Sequence, residues 1–421
     1  MVINSKEYKA RLASLSTALR VASGSSIIVL PAASDAIKTH DQSYGFFQDR
    51  DFLYFTGLKN LENAVLILSS ELKKPGTLLV AKRTAKQKLW DGPGHAEEAK
   101  AATRALGLNL VEVENLSAET QRAIAGFDTV YLNSARSNFA LKIAQWLLAK
   151  PHYELQSAKL PSTIAHSQTL TAPLRAVKSE LEIQLIRNAV SLTESALIEV
   201  LRVTHPGYSE LHLAKLFEGL VREAGGNLAF NSIVAGGPNA GVLHHSPSAR
   251  KLKKGELVLF DVGAELEGYN GDISRTVSLS APAHLDKLLT YVDRAQGEIA
   301  KLLKIGAAYQ EIKLKAVNIV AEQLAKCGIP VRGSAKGLVK SEEIKKFFPH
   351  NFGHSLGLDV HDPLPADAKL KAGMVFTVEP GLYLSKKIGN YPALGIRIED
   401  DFFVSKSGPK IFSSIPQLIS L

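Results

Sequence analysis

The stretch Leu257–Thr276 reads LVLFDVGAELEGYNGDISRT and decides the fold of the second half of the chain. Asp261 interrupts a run of core-forming residues, and Asp272 opens a second run rich in β-branched residues. Two strands joined by a short turn are the simplest structure for this pattern. A carboxylate on a buried strand is costly unless it is paired or bound to a metal ion. The two aspartates therefore predict a site within the core.

The turn of this hairpin has two candidates. A turn centred between Leu266 and Glu267 places Asp261 directly opposite Asp272, at a Cβ separation of ~4.5–5.5 Å that suits two ligands of one metal site. The dipeptide Asn270-Gly271 is also a strong hairpin signal, and a turn there separates the two aspartates. Both registers are open at the level of sequence.

Two later strands carry carboxylates in the same manner. Glu379 ends the apolar stretch Val375–Glu379 (VFTVE), and Glu399 ends Ala393–Glu399 (ALGIRIE). One such residue alone is typical of an edge strand or a salt bridge. Four carboxylates on apolar strands in one half of the chain favour a shared functional site.

Histidines are concentrated in the same half. The segment Phe347–Asp362 reads FFPHNFGHSLGLDVHD and contains His350, His354 and His361, while His244 and His245 lie in a loop rich in glycine and asparagine. Such clustering favours a functional role. The chain has no HExxH zinc motif.

One motif in this segment points to a different chemistry. Gly353-His354-Ser355-Leu356-Gly357 matches the nucleophile elbow G-x-S-x-G of serine hydrolases. In that fold an acid and then a histidine follow the serine, but His361 is the last histidine of the chain and lies six residues after Ser355. This spacing leaves no room for a separate acid and base, so Ser355 is not expected to be a nucleophile.

The first half of the chain alternates short apolar strands with helices, which predicts an α/β domain with a partly parallel sheet. The expected strands are Ile27–Pro31, Ala64–Ser69, Gly76–Val80 and Thr129–Leu132. The polar, proline-bearing stretch Leu160–Pro173 is the best candidate for a linker. We therefore expect one domain over residues 1–171 and a second over residues 172–421.

The second domain begins with a helix that Ser179 and Glu182 cap reciprocally. Longer strands follow, and they are expected at Glu256–Ala264, Asp272–Leu279, Met374–Glu379 and Gly395–Val404. Helices grouped with a largely antiparallel sheet make this an α+β domain.

Composition excludes several classes of protein. The net charge of +9 over 421 residues comes without a basic run, so nucleic acid is not an expected partner. No apolar stretch approaches the ~18 residues of a membrane span. The one cysteine, Cys327, cannot form an intrachain disulfide, and we expect a cytoplasmic protein.

The ordered residues Asp261, Asp272, His354, Glu379 and Glu399 resemble the five-ligand dimetal site of the pita-bread peptidases. The strings that carry the resemblance are LVLFDVGAELEGYNGDISRT, HNFGHSLGLDVHD, TVEPGLY and GIRIEDD. The first half resembles the N-terminal domain of the Xaa-Pro aminopeptidases, or aminopeptidases P, in the string FQDRDFLYFTG at residues 47–57. The resemblance implies a creatinase/aminopeptidase-like fold: an α/β N-terminal domain and an α+β pita-bread catalytic domain.

The resemblance also assigns roles to individual residues. It implies that Asp261 binds one metal ion, that His354 and Glu379 bind a second, and that Asp272 and Glu399 bridge the two. Glu379 is in addition the expected proton shuttle, and His244 and His361 are expected to hydrogen-bond the substrate and the tetrahedral intermediate. Three further residues are expected around the substrate: His350, Arg397 and Tyr383.

The expected cofactors are two divalent metal ions. Family habit favours Mn²⁺, and Zn²⁺ or Co²⁺ would also suit the oxygen-rich ligand set. A hydroxide held between the two ions is the implied nucleophile, and peptides with proline in the second position are the implied substrates. A homo-oligomer, a dimer or a tetramer, is expected.

Departures from the family pattern keep alternatives open. His245 stands where the family often has tyrosine, and Trp90 is followed by Asp91-Gly92-Pro93 rather than the usual Phe-Gly-Arg. These differences concern peptide length and subunit contacts, and they favour a dipeptidase (prolidase) as the second hypothesis. A pita-bread domain that only binds its ligand is a third hypothesis, although such relatives typically lack metal ligands.

Overall fold

A computed structural model describes residues 4–22, 24–34, 36–40, 42–71, 76–329, 331 and 341–421. The chain divides into two compact units, Val2–Arg175 and Ala176–Leu421. This division lies four residues after the boundary expected between residues 171 and 172. The expected architecture, an α/β N-terminal domain and a pita-bread catalytic domain, is confirmed.

The N-terminal unit alternates helices and strands. Its helices are α1 (Ser5–Val21), α2 (Arg50–Thr56), α3 (Ala85–Asp91), α4 (Ala96–Leu106), α5 (Leu116–Ala123), α6 (Asn138–Leu148), α7 (His152–Ser157) and α8 (Gln168–Ala176). Its strands are β1 (Ser26–Pro31), β2 (Ile37–Thr39), β3 (Gln42–Ser43), β4 (Ala64–Ser69), β5 (Thr77–Ala81), β6 (Asn109–Val113), β7 (Thr129–Leu132) and β8 (Thr163–His166).

Six of these strands form one mixed sheet in the order β6-β5-β4-β1-β7-β8. The pairs β5–β6, β1–β7 and β7–β8 are parallel, while β1–β4 and β4–β5 are antiparallel. The central strand β1 is buried along its whole length, as its uninterrupted apolar sequence requires.

The prediction that Leu160–Pro173 is a linker is wrong, because this stretch has regular secondary structure. Its residues 163–166 form β8, which pairs in parallel with β7 at the edge of the sheet, and its last residues begin α8. An edge strand is half exposed and carries polar residues, so its composition resembles that of a loop.

The C-terminal unit contains the longer helices. They are α9 (Glu180–Val203), α10 (Glu210–Glu223), α11 (Ala283–Ala300), α12 (Tyr309–Lys326) and α13 (Ser341–Ile344), together with a 3₁₀ helix at Gly237–Gly241. The strands are β9 (Asn227–Leu228), β10 (Ile233–Gly236), β11 (Leu257–Val262), β12 (Ala264–Leu266), β13 (Tyr269–Asn270), β14 (Ile273–Ser278), β15 (Val375–Val378), β16 (Gly381–Leu384), β17 (Leu394–Arg397), β18 (Asp400–Ser405), β19 (Gly408–Ile411) and β20 (Ile419–Ser420).

The sheets of this unit are largely antiparallel. The main sheet has the order β10-β11-β14-β20, and smaller sheets have the orders β13-β12-β9, β15-β18-β19 and β16-β17. The expected capping box at the start of α9 is present, because the Ser179 hydroxyl accepts from the Glu182 N–H and the Glu182 carboxylate accepts from the Ser179 N–H. One apolar core joins α11 and α12 to β15, β16 and β17.

Neither expected turn of the central hairpin is the observed one. Leu266 pairs with Tyr269, so the turn residues are Glu267 and Gly268, both with positive φ. A two-residue turn of this kind favours backbones in the left-handed region. As a result Asp261 lies opposite Ser274 rather than opposite Asp272.

The expected single strand Gly395–Val404 is also wrong, because it is two strands with different partners. β17 pairs with β16 and β18 pairs with β15, and the break falls at residues 398 and 399. Glu399 at the break forms an isolated bridge with Ser274 of β14. The interruption therefore places a carboxylate against the central hairpin.

None of the helices in the described part of the chain has the length and apolarity that crossing a bilayer requires.

Candidate active site

The central hairpin presents two buried carboxylates on one face. Asp272 lies two residues from Ser274, the partner of Asp261, so both aspartates point to the same side of the ladder. Within the described residues, Oδ1 of Asp261 and Oδ1 of Asp272 are buried and have no hydrogen-bond partner. Buried carboxylate oxygens without a partner are costly, which suggests that a ligand satisfies them.

His354 and Glu379 reach the hairpin from a neighbouring part of the unit. The His354 N–H donates to Thr377 Oγ1 at 3.0 Å, and the Glu379 N–H donates to the Phe352 carbonyl at 2.8 Å. These bonds hold the histidine segment along β15. His354 Nε2 then lies 3.6 Å from Asp272 Oδ2 and 3.7 Å from Glu379 Oε1.

Glu399 completes the group from the break between β17 and β18. Its Oε2 accepts from Ser274 Oγ at 2.6 Å, and its N–H donates to the Ser274 carbonyl at 3.0 Å. One ligand atom each from Asp272, His354 and Glu399 lies within 4.8 Å of the other two. This separation is close to that of ligands bound at about 2.0–2.2 Å to a single ion.

The electrostatics of this cluster fit bound cations. Burial raises the pKa of Asp272 and Glu399 well above the usual range, and the neighbouring carboxylates raise both further. Burial also raises the pKa of Glu379 to about 7, although His354 and Arg397 oppose the shift. Positive charge placed among these groups would restore their ionised forms. The donor set of four carboxylates and one imidazole therefore fits divalent metal ions.

The raised pKa of Glu379 predicts a pH dependence in the metal-free protein. A carboxyl whose pKa rises from 4.5 to about 7 on folding contributes stability that is present below pH 4.5 and is lost as the pH rises through 7. His350 and His361 have lowered pKa values, so their contribution to the free energy of unfolding increases as the pH rises. We therefore compare the parent with Glu379→Gln, which lacks this carboxyl and its effect on the pKa of Glu399, while the two histidines are present in both proteins.

Between pH 5 and pH 8 we expect the metal-free parent to lose about 2 kcal/mol of unfolding free energy relative to Glu379→Gln. Urea unfolding of chelator-treated proteins measures the difference, and added Mn²⁺ should reduce it. A difference that is constant with pH would contradict the raised pKa.

Arg397 forms hydrogen bonds with several residues of the cluster. Its Nη2 donates to Asp261 Oδ2, its Nη1 to the Tyr383 hydroxyl at 2.6 Å, and its Nε to Ser274 Oγ at 3.0 Å. Ser274 in turn donates to Glu399. The guanidinium therefore pairs with Asp261 directly, and it acts on Glu399 both through Ser274 and across the 4.0 Å that separate Arg397 Nε from Glu399 Oε2.

His350 lies beside this network. Its Nδ1 is 2.8 Å from the Asn351 carbonyl, which places the proton there, and its Nε2 is 2.9 Å from the Tyr383 hydroxyl. Nδ1 is also 3.4 Å from Glu379 Oε2. Burial and the Arg397 charge lower the pKa of His350 to about 3, so the imidazole is neutral at pH 7.

His361 and His244, the two other histidines predicted for the site, are both exposed to solvent. The ring centroid of His361 is 4.0 Å from that of His354. Although the residue as a whole is exposed, partial burial of its imidazole together with the charges of His354 and His244 lowers the pKa of His361 to about 4. His244 is exposed. Its charge acts on both His350 and His361, which indicates that it faces the same site.

Several residues of the site were not expected from the sequence. Asp401 is fully buried, and its Oδ2 accepts from the Asp272 N–H at 2.9 Å. Glu210 is also fully buried at the start of α10, and it accepts from four residues of the segment from the end of β10 to residue 248: Gly236, Asn239, His245 and Ser248.

Glu210 explains the unusual residue after the loop histidine. His245 Nε2 lies 2.9 Å from Glu210 Oε2, so the imidazole anchors the loop that carries His244. The hydrogen bonds lower the pKa of Glu210 in spite of its burial. Its position directly after Ser209, the residue that caps α10, is an ordinary helix-start signal, and no feature of the sequence marks it as a loop anchor.

Comparison with known proteins identifies the family to which the chain belongs. The model of metallopeptidase family M24 matches residues 184–406, which are 223 of the 421 residues and include all five candidate ligands. The chain belongs to family M24. The model of the aminopeptidase P N-terminal domain matches residues 8–131, and the chain is a member of the aminopeptidase P family.

Relatives of this M24 member align along most of its length. It is 29% identical to the Xaa-Pro aminopeptidase of Escherichia coli over 398 residues, covering 91% of this chain and 89% of the relative. It is 30% identical to human Xaa-Pro aminopeptidase 3 over 391 residues, covering 89% of this chain and 76% of the relative.

Solved structures of the family share the fold. Aminopeptidase PepP of Pseudomonas aeruginosa superposes with a TM-score of 0.85 at 27% identity, covering 98% of this chain and 95% of the other. Aminopeptidase P of Escherichia coli in its low-pH form gives a TM-score of 0.85 at 27% identity and covers 98% and 96%. Both units of this chain thus have their counterparts in aminopeptidase P, and the M24 member is a hydrolase of the metallo-exopeptidase class.

Proposed function

We propose that this protein is a metal-dependent Xaa-Pro aminopeptidase that releases the N-terminal residue from peptides with proline in the second position. The observation that carries the proposal is the convergence of three buried carboxylates, the partly buried Glu379 and one imidazole in a chain of the aminopeptidase P family. The match of residues 8–131 to the aminopeptidase P N-terminal domain favours this activity over that of a dipeptidase.

The residues that would hold the metal ions are the five candidate ligands. Asp261 would offer Oδ1 to one ion, His354 and Glu379 would bind a second, and Asp272 and Glu399 would contact both. Mn²⁺ is our proposal for the ions because oxygen ligands predominate. When bound, the metal ions supply the Lewis acidity that activates water and polarises the scissile carbonyl.

The chain's own residues hold and move protons around the substrate. Glu379, with a pKa of about 7 in the metal-free site, is suited to accept a proton and to deliver it to the departing proline nitrogen. His361 is neutral at pH 7 because its pKa is about 4, so it donates a neutral N–H to the developing negative charge. His244 is the proposed second donor.

Three residues are proposed to shape the substrate site. Arg397 holds Asp261 and Tyr383 in fixed positions through its guanidinium. Tyr383 and His350 are hydrogen-bonded to each other at 2.9 Å, and the pair offers a polar edge beside Glu379. This edge is our candidate for binding the N-terminal part of the peptide.

We further propose that the protein acts in the cytoplasm as a homo-oligomer. The cytoplasmic assignment is supported by the single cysteine. The oligomer is supported by Trp90, an aromatic residue that is 71% exposed in the N-terminal unit and that resembles the tryptophan that lines a neighbouring subunit's substrate pocket in aminopeptidase P.

The test is peptide cleavage by Mn²⁺-loaded protein. We compare an Xaa-Pro dipeptide with an Xaa-Pro-Yaa-Zaa tetrapeptide, each with and without chelator. Cleavage of the tetrapeptide after its first residue, lost with chelator, is the expected result. Cleavage of the dipeptide alone would replace the proposal with a dipeptidase, and failure to cleave either peptide would favour a binding module.

A further inference from the structure

Lys178 is a buried cation outside the set of residues assigned above. Its side chain is 1% exposed, and Nζ lies 3.0 Å from Oδ2 of Asp362, which is 2% exposed. Nζ also donates to Ser355 Oγ at 3.4 Å. The Lys178 N–H donates to the Gly373 carbonyl at 3.0 Å, which fixes the backbone from which the side chain extends.

The two partners of Lys178 have a special position in the sequence. Ser355 directly follows the candidate metal ligand His354, and Asp362 directly follows the candidate donor His361. The Asp362 N–H donates to the Ser355 carbonyl at 2.8 Å. The Lys178 ammonium thus joins the two ends of the segment 354–362. The imidazoles of His354 and His361 in this segment lie 4.0 Å apart between ring centroids.

The interior of the segment is packed around this contact. The Asp359 N–H donates to Asp362 Oδ1 at 3.1 Å, so both oxygens of the carboxylate are engaged. A Cβ at Gly357 would lie 2.8 Å from Asp362 Oδ2 and 3.0 Å from Lys178 Cε, which is too close for any larger residue. The segment therefore closes tightly on the ion pair.

Stability alone is a weak reason for this ion pair. Taking an ammonium and a carboxylate out of water costs about as much as their attraction returns, and apolar residues of similar volume often stabilise a core equally well. What the pair supplies is a fixed distance between two points of the chain, each one residue away from an imidazole of the site.

We propose that Lys178 is a positioning residue that sets the relative placement of His354 and His361 through Ser355 and Asp362. The consequence for turnover rests on the proposed function, while the consequence for metal binding at His354 does not. The proposal also gives the serine of the G-x-S-x-G motif a role, as a partner of Lys178 rather than as a nucleophile.

The principal test is Lys178→Met, which removes the charge and keeps most of the apolar stem. Residues that orient a metal ligand from outside typically contribute 10–100-fold to metal affinity, and a displacement of about 1 Å can lower turnover about 100-fold. We expect Mn²⁺ binding, measured by calorimetry, to weaken about tenfold and kcat at saturating Mn²⁺ to fall about 100-fold with a smaller change in KM.

Arg175→Met is the matched control. Arg175 is equally buried and forms a 2.8 Å ion pair with Asp51 in the N-terminal unit. This variant should lose thermal stability while Mn²⁺ affinity and kcat stay near the parent values. The isosteric Asp362→Asn keeps the packing and should shift both quantities in the same direction as Lys178→Met, so the test survives if Lys178→Met fails to fold.

A double-mutant cycle shows whether Lys178 acts through His361. If it does, Lys178→Met should lower kcat much less in a His361→Ala background than in the parent. The proposal is overturned if Lys178→Met and Asp362→Asn are folded and both keep Mn²⁺ affinity and kcat within about twofold of the parent, because a pair with a purely structural role would change only the stability. If the parent itself cleaves no Xaa-Pro peptide, the proposed function fails and the Mn²⁺ titration still tests the positioning role.

Discussion

Glu399→Gln is expected to lower kcat/KM for an Xaa-Pro peptide by at least about 10³-fold, the largest effect of a single change that we foresee. The lost carboxylate contacts the cluster from the break between β17 and β18 and is held there by Ser274 Oγ at 2.6 Å. Metal ions contribute several kcal/mol to such a hydrolysis, and about 4 kcal/mol corresponds to 10³-fold.

The same substitution should stabilise the metal-free protein, although it lowers the activity. Burial, Asp272 and Glu379 hold the pKa of Glu399 well above its usual range, so its negative charge disfavours the fold when metal is absent. Glutamine removes that charge with nearly the same shape. We expect a higher thermal midpoint for metal-free Glu399→Gln at pH 8, and a smaller increase on adding Mn²⁺ than in the parent.

Glu194→Gln is the matched control for Glu399→Gln. Glu194 is also buried and accepts from the Ser414 N–H and hydroxyl at 2.9 and 2.6 Å. Turnover and the Mn²⁺ response should be retained in that variant. Peptidase activity near the parent value in Glu399→Gln, with Mn²⁺ present, would contradict the assigned metal site.

His361→Ala is expected to lower kcat by about 10²–10³-fold while Mn²⁺ affinity changes little. The imidazole is neutral at pH 7 because burial and the charges of His354 and His244 lower its pKa to about 4. A neutral N–H aimed at developing negative charge is worth about 2.7–4 kcal/mol in comparable sites. Steady-state kinetics and calorimetry with Mn²⁺ separate this effect from loss of metal.

His284→Ala is the control for the loss of an imidazole, since His284 is exposed at the start of α11. It should have parental kinetics. If His361→Ala instead raises KM and leaves kcat unchanged, the residue binds the ground state of the substrate and the proposed donor role is wrong.

The two-domain architecture could be predicted from the sequence, and so could a metal-binding cluster that includes Asp272, His354 and Glu399. Asp261, Glu379 and Glu399 each adjoin a run of apolar residues in the sequence, where an ionised side chain needs a partner, and this signal is local. The start of α9 agrees with the sequence because the capping box of Ser179 and Glu182 is a local feature as well.

The predictions that failed depended on contacts between distant segments. The strand β8 pairs with β7 through backbone groups, which its polar sequence does not reveal. The break at Glu399 arises because β17 and β18 pair with different strands. The hairpin register follows from the positive φ of Glu267, a glutamate at a position that usually takes glycine or asparagine.

The amino-acid sequence by itself determined which residue types meet in this protein: five metal-ligand candidates in fixed order, in a chain of two α/β-containing halves. Only the tertiary structure decided how they are held. Ser274, Glu210, Asp401 and Lys178 act through hydrogen bonds to segments far away in the chain. The reason is physical: a lone carboxylate in an apolar strand is anomalous in its own neighbourhood, whereas a buried supporting residue is ordinary in sequence and acquires its partner only when the chain folds.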